Sequence, residues 1–320
     1  MHNIAFVFPG QGSQHIGMGR ALFDAFPYVR SLFDQADAAL GYSLSTLCFE
    51  GPDSELVRTE NTQPALLTCS VAAAEVLRRE LALSPALCAG HSLGEYSALV
   101  AADSIDFADA VRLVHLRGRF MQEAVPQGLG AMAALVGLSS DDVAQLCVEA
   151  STEEEKVQPA NDNGAGQVVI SGHKPAVDRV MAQAKAKGCK LVKALPVSAP
   201  FHSALMQPAA AKLAESLGSI TLRAPRITVV ANIDAEPYPQ GDVSAVRDRL
   251  VRQVAGTVRW EGCVKKLASL GATAIVEVGP GKVLQGLVKR IVPHVALAGF
   301  ADPSGLAAVA ELASTKPSQP

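Results

Sequence analysis

The chain has 320 residues, 49% hydrophobic and 18% charged, with 28 lysines and arginines against 31 aspartates and glutamates for a net charge of −3. This is the composition of one large or two ordinary globular domains and excludes a disordered chain. Balanced charge and an aromatic content of 5% speak against a nucleic-acid partner, and no apolar run approaches the roughly 18 residues a membrane span needs.

Strand-like and helix-like runs alternate along most of the sequence, the pattern of an α/β protein. Ile4–Phe8 reads as a first strand ending at Pro9-Gly10. No basic segment or cleavage site precedes it, so a signal peptide is not expected and a cytoplasmic location is. Residues 63–83 read as a long helix with Pro64 in its first turn, where proline is tolerated. Residues 86–89 form a short apolar strand stopped by Gly90, followed by a helix over 93–102. Then comes a strand at 131–138 and a helix that Ser139-Ser140-Asp141 caps, running to about Ala150. Two strands at 157–160 and 167–171, a helix at 175–187 and a strand at 190–197 complete a β-α-β-β-α-β order, that of a ferredoxin-like unit. The pattern predicts a small domain over 128–198, with Gly128 and Gly130 at its hinge, inserted into a large domain made of 1–127 and 199–320. Further strands are expected at 227–231 and at Ala274–Val278, the latter leading through Gly279-Pro280-Gly281 into a helix over 282–291. The polar tail at 314–320 reads as frayed. Cys48, Cys69, Cys88, Cys147, Cys189 and Cys263 show no C-x-x-C pair and no zinc-type cluster with histidine, and read as small apolar residues in a reducing compartment.

Gly90-His91-Ser92-Leu93-Gly94 lies between a predicted strand and its helix, a G-x-S-x-G pattern. A tight turn there pushes the serine out at the carboxyl end of the strand, and the glycines permit the crowding. The Leu93 backbone N–H, at the helix start, faces any negative charge that develops beside Ser92. Ser92 is therefore the candidate nucleophile, the alternative being an ordinary glycine-rich turn. A serine needs a base. Of the 7 histidines, His2 is terminal, His91 reads as packing, and His115, His173 and His294 read as surface or structural. His202, in Ala199-Pro200-Phe201-His202-Ser203, lies in a loop after the predicted insert, where catalytic groups commonly reach a site, and is the candidate base. Gly10-Gln11-Gly12-Ser13-Gln14 lacks the third glycine of a dinucleotide fingerprint and the spacing of a phosphate loop. Its glycines either make a tight turn or bring the Gln11 N–H close to a ligand as a second oxyanion donor.

Extended to Phe8-Pro9-Gly10-Gln11-Gly12-Ser13-Gln14 and Gly90-His91-Ser92-Leu93-Gly94-Glu95-Tyr96, and together with Asn61-Thr62-Gln63-Pro64-Ala65, Gly166-Gln167-Val168-Val169-Ile170-Ser171-Gly172 and Glu277-Val278-Gly279-Pro280-Gly281, these blocks run from residue 6 to about residue 290. In them the chain resembles the malonyl-CoA:acyl carrier protein transacylases of bacterial fatty acid synthesis. The resemblance implies a hydrolase-like large domain with a parallel sheet and nucleophile elbow. It implies malonyl transfer from malonyl-CoA to the phosphopantetheine thiol of acyl carrier protein, with no cofactor and no metal. Ser92 would be acylated, His202 would be its base, and Gln11 and Leu93 would hold the oxyanion. The Gln253 backbone carbonyl would orient His202. Arg117, which on pattern alone reads as a solvated helix residue, would grip the substrate's free carboxylate. Phe201 resembles the malonyl-selective members, although a phenylalanine there also suits a core. Because the family's carrier is acidic, Lys187, Lys190 and Lys193 are candidates for steering it, although lysines at a strand edge also guard against aggregation. One departure stands out: Gly256-Thr257 replaces the usual Asn-Pro before Val258-Arg259-Trp260. The same serine motif also serves hydrolases and thioesterases; the transacylase subunit of a malonate decarboxylase system and, in another class, a catalytically silent partner-binding subunit are the further alternatives, the intact serine, histidine and arginine set speaking against the last.

Overall fold

The computed structural model describes residues 2–197 and 199–315. Its strands, in chain order, are β1 (Ile4–Phe8), β2 (Leu87–Gly90), β3 (Gly130–Val136), β4 (Val157–Asp162), β5 (Gln167–His173), β6 (Leu191–Ala194), β7 (Thr228–Val230), β8 (Ala274–Val278) and β9 (Ala296–Phe300). Two sheets result, one ordered β7-β2-β1-β8-β9 and the other β4-β5-β3-β6.

The first sheet is parallel throughout. Strands covered on both faces read as unbroken apolar runs, and β1, β2 and β8 are buried at every position. Alternate residues divide between two cores. Phe6 and Phe8 face the layer that holds the long helix Thr59–Glu80 and the helix Phe107–Glu123. Ala5 and Val7 face Trp260, Leu284 and Leu287, from the helices Trp260–Ser269 and Val283–Ile291 on the other side. Strand β1 lies between β2 and β8, where connections leave in opposite directions, the point at which α/β sheets form clefts at their carboxyl ends. The loops that carry Gln11 and Ser92 leave β1 and β2 there.

The second sheet is antiparallel, with the elements between residues 130 and 194 in the order strand, helix, strand, strand, helix, strand. The Ser139 side chain accepts a hydrogen bond from Asp142 N at 3.1 Å and starts the helix Ser140–Ala150. That helix and Lys174–Ala186 pack on one face of the sheet over a core of their own. Strand β4 is longer than the sequence suggested. It passes through Pro159, which has no N–H to give, and the register shifts between Pro159 and Asn161. Strand β6 is shorter, ending before Pro196.

The sheets are tied together by the loop that departs from the family pattern. Val258 N donates to Ala160 O at 2.9 Å and Val258 O accepts from Asp162 N at 2.9 Å, adding a parallel bridge to β4. Thr257 Oγ1 donates to Pro159 O at 2.6 Å. At Gly256 a Cβ would come 2.2 Å from Ile233 Cδ1 and 2.9 Å from Arg252 O, so the loop closes most easily around a glycine. No helix among the described residues is long and apolar enough to cross a membrane. All six cysteines are unpaired; five are buried and Cys189 is half-buried. The predicted tail from residue 316 onward lies outside the described residues.

Candidate active site

The elbow is built by steric necessity. A Cβ on Gly90 would come 1.9 Å from the carbonyl of Gly94, and one on Gly94 would come 2.1 Å from Phe8 O. Strand, turn and helix can approach this closely only where both residues are glycine. Between them Ser92 takes a left-handed backbone (φ 51°), held by its N–H donating to Asn232 Oδ1 at 2.7 Å. Asn232 Nδ2 in turn donates to Gly90 O at 2.7 Å, so one side chain braces both ends of the turn.

Ser92 Oγ lies 2.7 Å from His202 Nε2. His202 is buried and also left-handed (φ 56°). Its Nδ1 donates to the backbone carbonyl of Gln253 at 2.8 Å, leaving Nε2 as the acceptor facing Ser92. Burial, with the nearby Arg117 charge second, lowers the histidine to about 3 from 6.5. The ring is therefore neutral, the form that can take a proton. The His202 loop is clamped from the second sheet by Gln158 of β4. Its Nε2 donates to His202 O at 3.2 Å and Ala255 O at 3.3 Å, and its Oε1 accepts from Ala204 N at 3.1 Å.

Arg117 is only 2% exposed, so it is not the solvated residue that pattern alone suggests. Its Nη1 donates to Gln63 Oε1 at 2.6 Å; its Nη2 donates to Gln253 Oε1 at 2.8 Å and to Ser92 Oγ at 3.1 Å. Its guanidinium lies over the Tyr96 ring, 5.3 Å from the centroid. Among the described residues it has no carboxylate in direct contact. The nearest arrangement to one is indirect: Gln253 Nε2 donates to Glu95 Oε2 at 2.9 Å and to Ser92 O at 2.9 Å, so the Gln253 amide links Arg117 to a buried acid. Glu95 also accepts from Tyr238 Oη and, at 3.0 Å, from Asn232 N.

Gln63, Thr59 and Gln11 form a chain on the other side. Gln63 Nε2 donates to Thr59 Oγ1 at 3.1 Å, and Thr59 Oγ1 donates to Gln11 Oε1 at 2.9 Å. The helix bearing Gln63 starts at Thr59, four residues before the predicted start, which leaves Pro64 inside it. A residue without N–H at 64 leaves Glu60 O without its helical donor. His115 Nδ1 supplies the replacement at 3.0 Å, which is the structural role of that histidine.

These residues enclose a cavity of about 110 Å³, lined by Gln11, Gln63, His91, Ser92, Leu93, Arg117, Met121, Met132, Asn161, Phe201 and His202. Six of the seven predicted residues line it; Gln253 lies behind Arg117. Met132 and Asn161 come from β3 and β4, so the second sheet supplies one wall. His91 packs rather than reacts: its Nε2 is 2.9 Å from Asn163 Oδ1 and its ring lies 5.6 Å from that of Trp260. Burial lowers its basicity. Lys187, Lys190 and Lys193 are exposed on β6 and the turn before it. Gln63, Glu95, Asn232 and Gln158 were not singled out from sequence. Of these only Gln63 and Glu95 lie inside blocks that carry the resemblance.

The acyl transferase domain family matches residues 5–305. The malonyl CoA-acyl carrier protein transacylase of Escherichia coli K12 is 53% identical over 98% of this chain and 100% of its own. An acyl carrier protein S-malonyltransferase from Vibrio cholerae superposes with a TM-score of 0.93 at 46% identity, over 96% of this chain and 99% of its own. A malonyl-transacylase solved in complex with a type II PKS acyl-carrier protein does so at 0.93 and 46%, over 97% and 99%. With matches of this extent joined to an elbow serine paired with histidine, the chain belongs to the acyl transferase family, among the malonyl CoA-acyl carrier protein transacylases.

Proposed function

We propose that the chain moves a malonyl group from malonyl-CoA to the phosphopantetheine thiol of acyl carrier protein in the cytoplasm, supplying fatty acid synthesis through a malonyl-Ser92 intermediate. The observation that carries this reading is a buried arginine without a carboxylate partner among the described residues, opening onto the same small cavity as the Ser92–His202 pair. His202 Nε2 takes the Ser92 proton as Oγ attacks the thioester carbonyl. The oxyanion is received by the N–H groups of Gln11 and Leu93, neither of which donates to a backbone carbonyl among the described residues. His202 returns the proton to the departing CoA thiol, and the carrier's thiol reverses the sequence. Arg117 holds the malonyl carboxylate, with Phe201 closing the pocket beside it. Gln253 orients His202 through its carbonyl. We read the large unit, 1–127 with 199–320, as hydrolase-like and the inserted 128–198 as ferredoxin-like, on the strand orders and element order given above; the boundary at 198 lies outside the described residues.

Intact-protein mass after brief mixing with malonyl-CoA, followed by peptide mapping, tests the reading. A malonyl adduct on Ser92 that passes to added carrier protein is the expected result. An adduct that decays equally fast without carrier would make the chain a hydrolase. Arg117→Ala should lose malonyl transfer and gain relative activity with acetyl-CoA. A surviving malonyl preference would remove Arg117 from the role.

A further inference from the structure

The guanidinium of Arg117 touches the nucleophile itself. Nη2 has two hydrogens; one goes to Gln253 Oε1 and the other to Ser92 Oγ at 3.1 Å. Nη1 gives one hydrogen to Gln63 Oε1 and keeps one. Gln253 is not part of the cavity wall, whereas Ser92 is, so the Nη2 hydrogen on the cavity side is the one committed to Ser92. A carboxylate that enters and bridges Nη1 and Nη2, the geometry arginine favours, must draw that hydrogen away.

We propose that Arg117 restrains Ser92 in the empty enzyme and that the substrate's own carboxylate releases it, so that selection for a carboxylated acyl group is exercised in the chemical step as well as in binding. This deepens the reading above and rests on its assignment of Arg117 to the carboxylate. While Arg117 donates to Oγ, one lone pair of the nucleophile is occupied, and Ser92 keeps its proton toward His202. Once the hydrogen moves to the carboxylate, that lone pair is free to attack the thioester carbon. The Oγ–C bond forms, the C–S bond breaks, and the serine proton passes through His202 to the thiol. The charge effect acts in the same direction. The charged or titratable groups around His202 are Arg117 and His91, with Glu95 behind Gln253. Arg117 lowers the basicity of His202, and a bound carboxylate cancels that cation. An acetyl thioester carries no anion and leaves both restraints in place.

The test supplies malonyl in two pieces. Acetylation of Ser92 by acetyl-CoA is followed by intact mass at rising formate concentration, beside inhibition of malonyl transfer by formate. Release of one charge-assisted hydrogen bond corresponds to roughly ten- to hundredfold in rate. Formate should accelerate acetylation of the wild-type enzyme by that order and leave Arg117→Ala unaffected. Formate that competes with malonyl-CoA yet does not accelerate acetylation overturns the proposal. A second measurement covers the case in which formate does not compete. Inactivation by phenylmethanesulfonyl fluoride, an uncharged serine reagent, should be at least tenfold faster in Arg117→Ala than in wild type, with its acid limb moved to higher pH. Equal or slower inactivation with an unmoved limb overturns the proposal. If instead Arg117→Ala keeps its preference for malonyl over acetyl, it is the assignment of Arg117 to the carboxylate that has failed.

Discussion

His202 and Glu95 sit within one hydrogen-bonded cluster and are pushed in opposite directions by the same burial. The imidazole is lowered to about 3, so the folded chain binds fewer protons than the unfolded one below 6.5, and stability is lost as pH falls from there. The Glu95 carboxyl is raised to about 7 from 4.5, so the folded chain holds that proton longer, and stability falls as pH rises across that interval. Three donors, from Tyr238, Gln253 and Asn232, offset part of the cost of ionising it. Glu95→Gln removes only the second slope. Relative to wild type, the variant should therefore gain roughly 3 kcal/mol between pH 4.5 and pH 7, read by urea unfolding at several pH values. A difference that is flat with pH would mean that Glu95 titrates alike in both states. The sequence makes Ser92 and His202 legible because their motif and loop positions have mechanical reasons. Nothing in the residues next to Glu95 and Asn232 marks their roles, and their partners lie up to 158 positions away in sequence. Only folding brings these groups together.

At the scale of elements, a short turn set by two glycines carries the chemistry. Gly94→Ala would place a methyl 2.1 Å from Phe8 O and 2.8 Å from Phe8 C, both backbone atoms that cannot rotate aside. The expected result is a loss of about 2–3 kcal/mol by denaturant unfolding, together with failure of Ser92 to acylate. Gly218→Ala is the matched control. Gly218 closes the helix Gln207–Gly218, and no atom beyond its chain neighbours and its own helix backbone lies within 4 Å of the added carbon, so the change should be neutral or gain up to ~1 kcal/mol. If the two substitutions cost the same, crowding is not what the elbow glycines relieve. Sequence pattern finds this turn and most strands to within a few residues. It misplaces the start of Thr59–Glu80 because Thr59, Asn61, Thr62 and Gln63 are polar yet buried, and amphipathic periodicity counts buried polar residues as exposed. Strand β9 is a short Ala-Leu-Ala-Gly-Phe run in which only Leu297 and Phe300 are large, and its pairing with β8 makes it a strand.

Across the whole molecule, the second sheet holds the base as well as walling the cavity. His202 occupies a backbone conformation costly for a residue with a Cβ, and such a residue keeps it only when its surroundings demand it. Part of that demand comes from Gln158 on β4, whose amide bonds His202 O, Ala255 O and Ala204 N at once. Those three groups flank both partners of the Nδ1 bond, because Ala255 lies two residues beyond Gln253. Gln158→Leu keeps the side-chain bulk and removes the clamp. The sheet's own ladder and core do not involve the amide, so thermal unfolding should move by only a few degrees. Single-turnover acylation should nevertheless slow by about 10- to 100-fold, because a base displaced by a fraction of an ångström transfers a proton poorly. Gln158 does not line the cavity, and the printed bonds of Arg117 go to Gln63, Ser92 and Gln253, so KM for malonyl-CoA should be unchanged while kcat falls. A parallel loss of stability and of both kinetic constants would reduce Gln158 to ordinary packing. A selective loss of kcat would make the second sheet part of the acylation machinery.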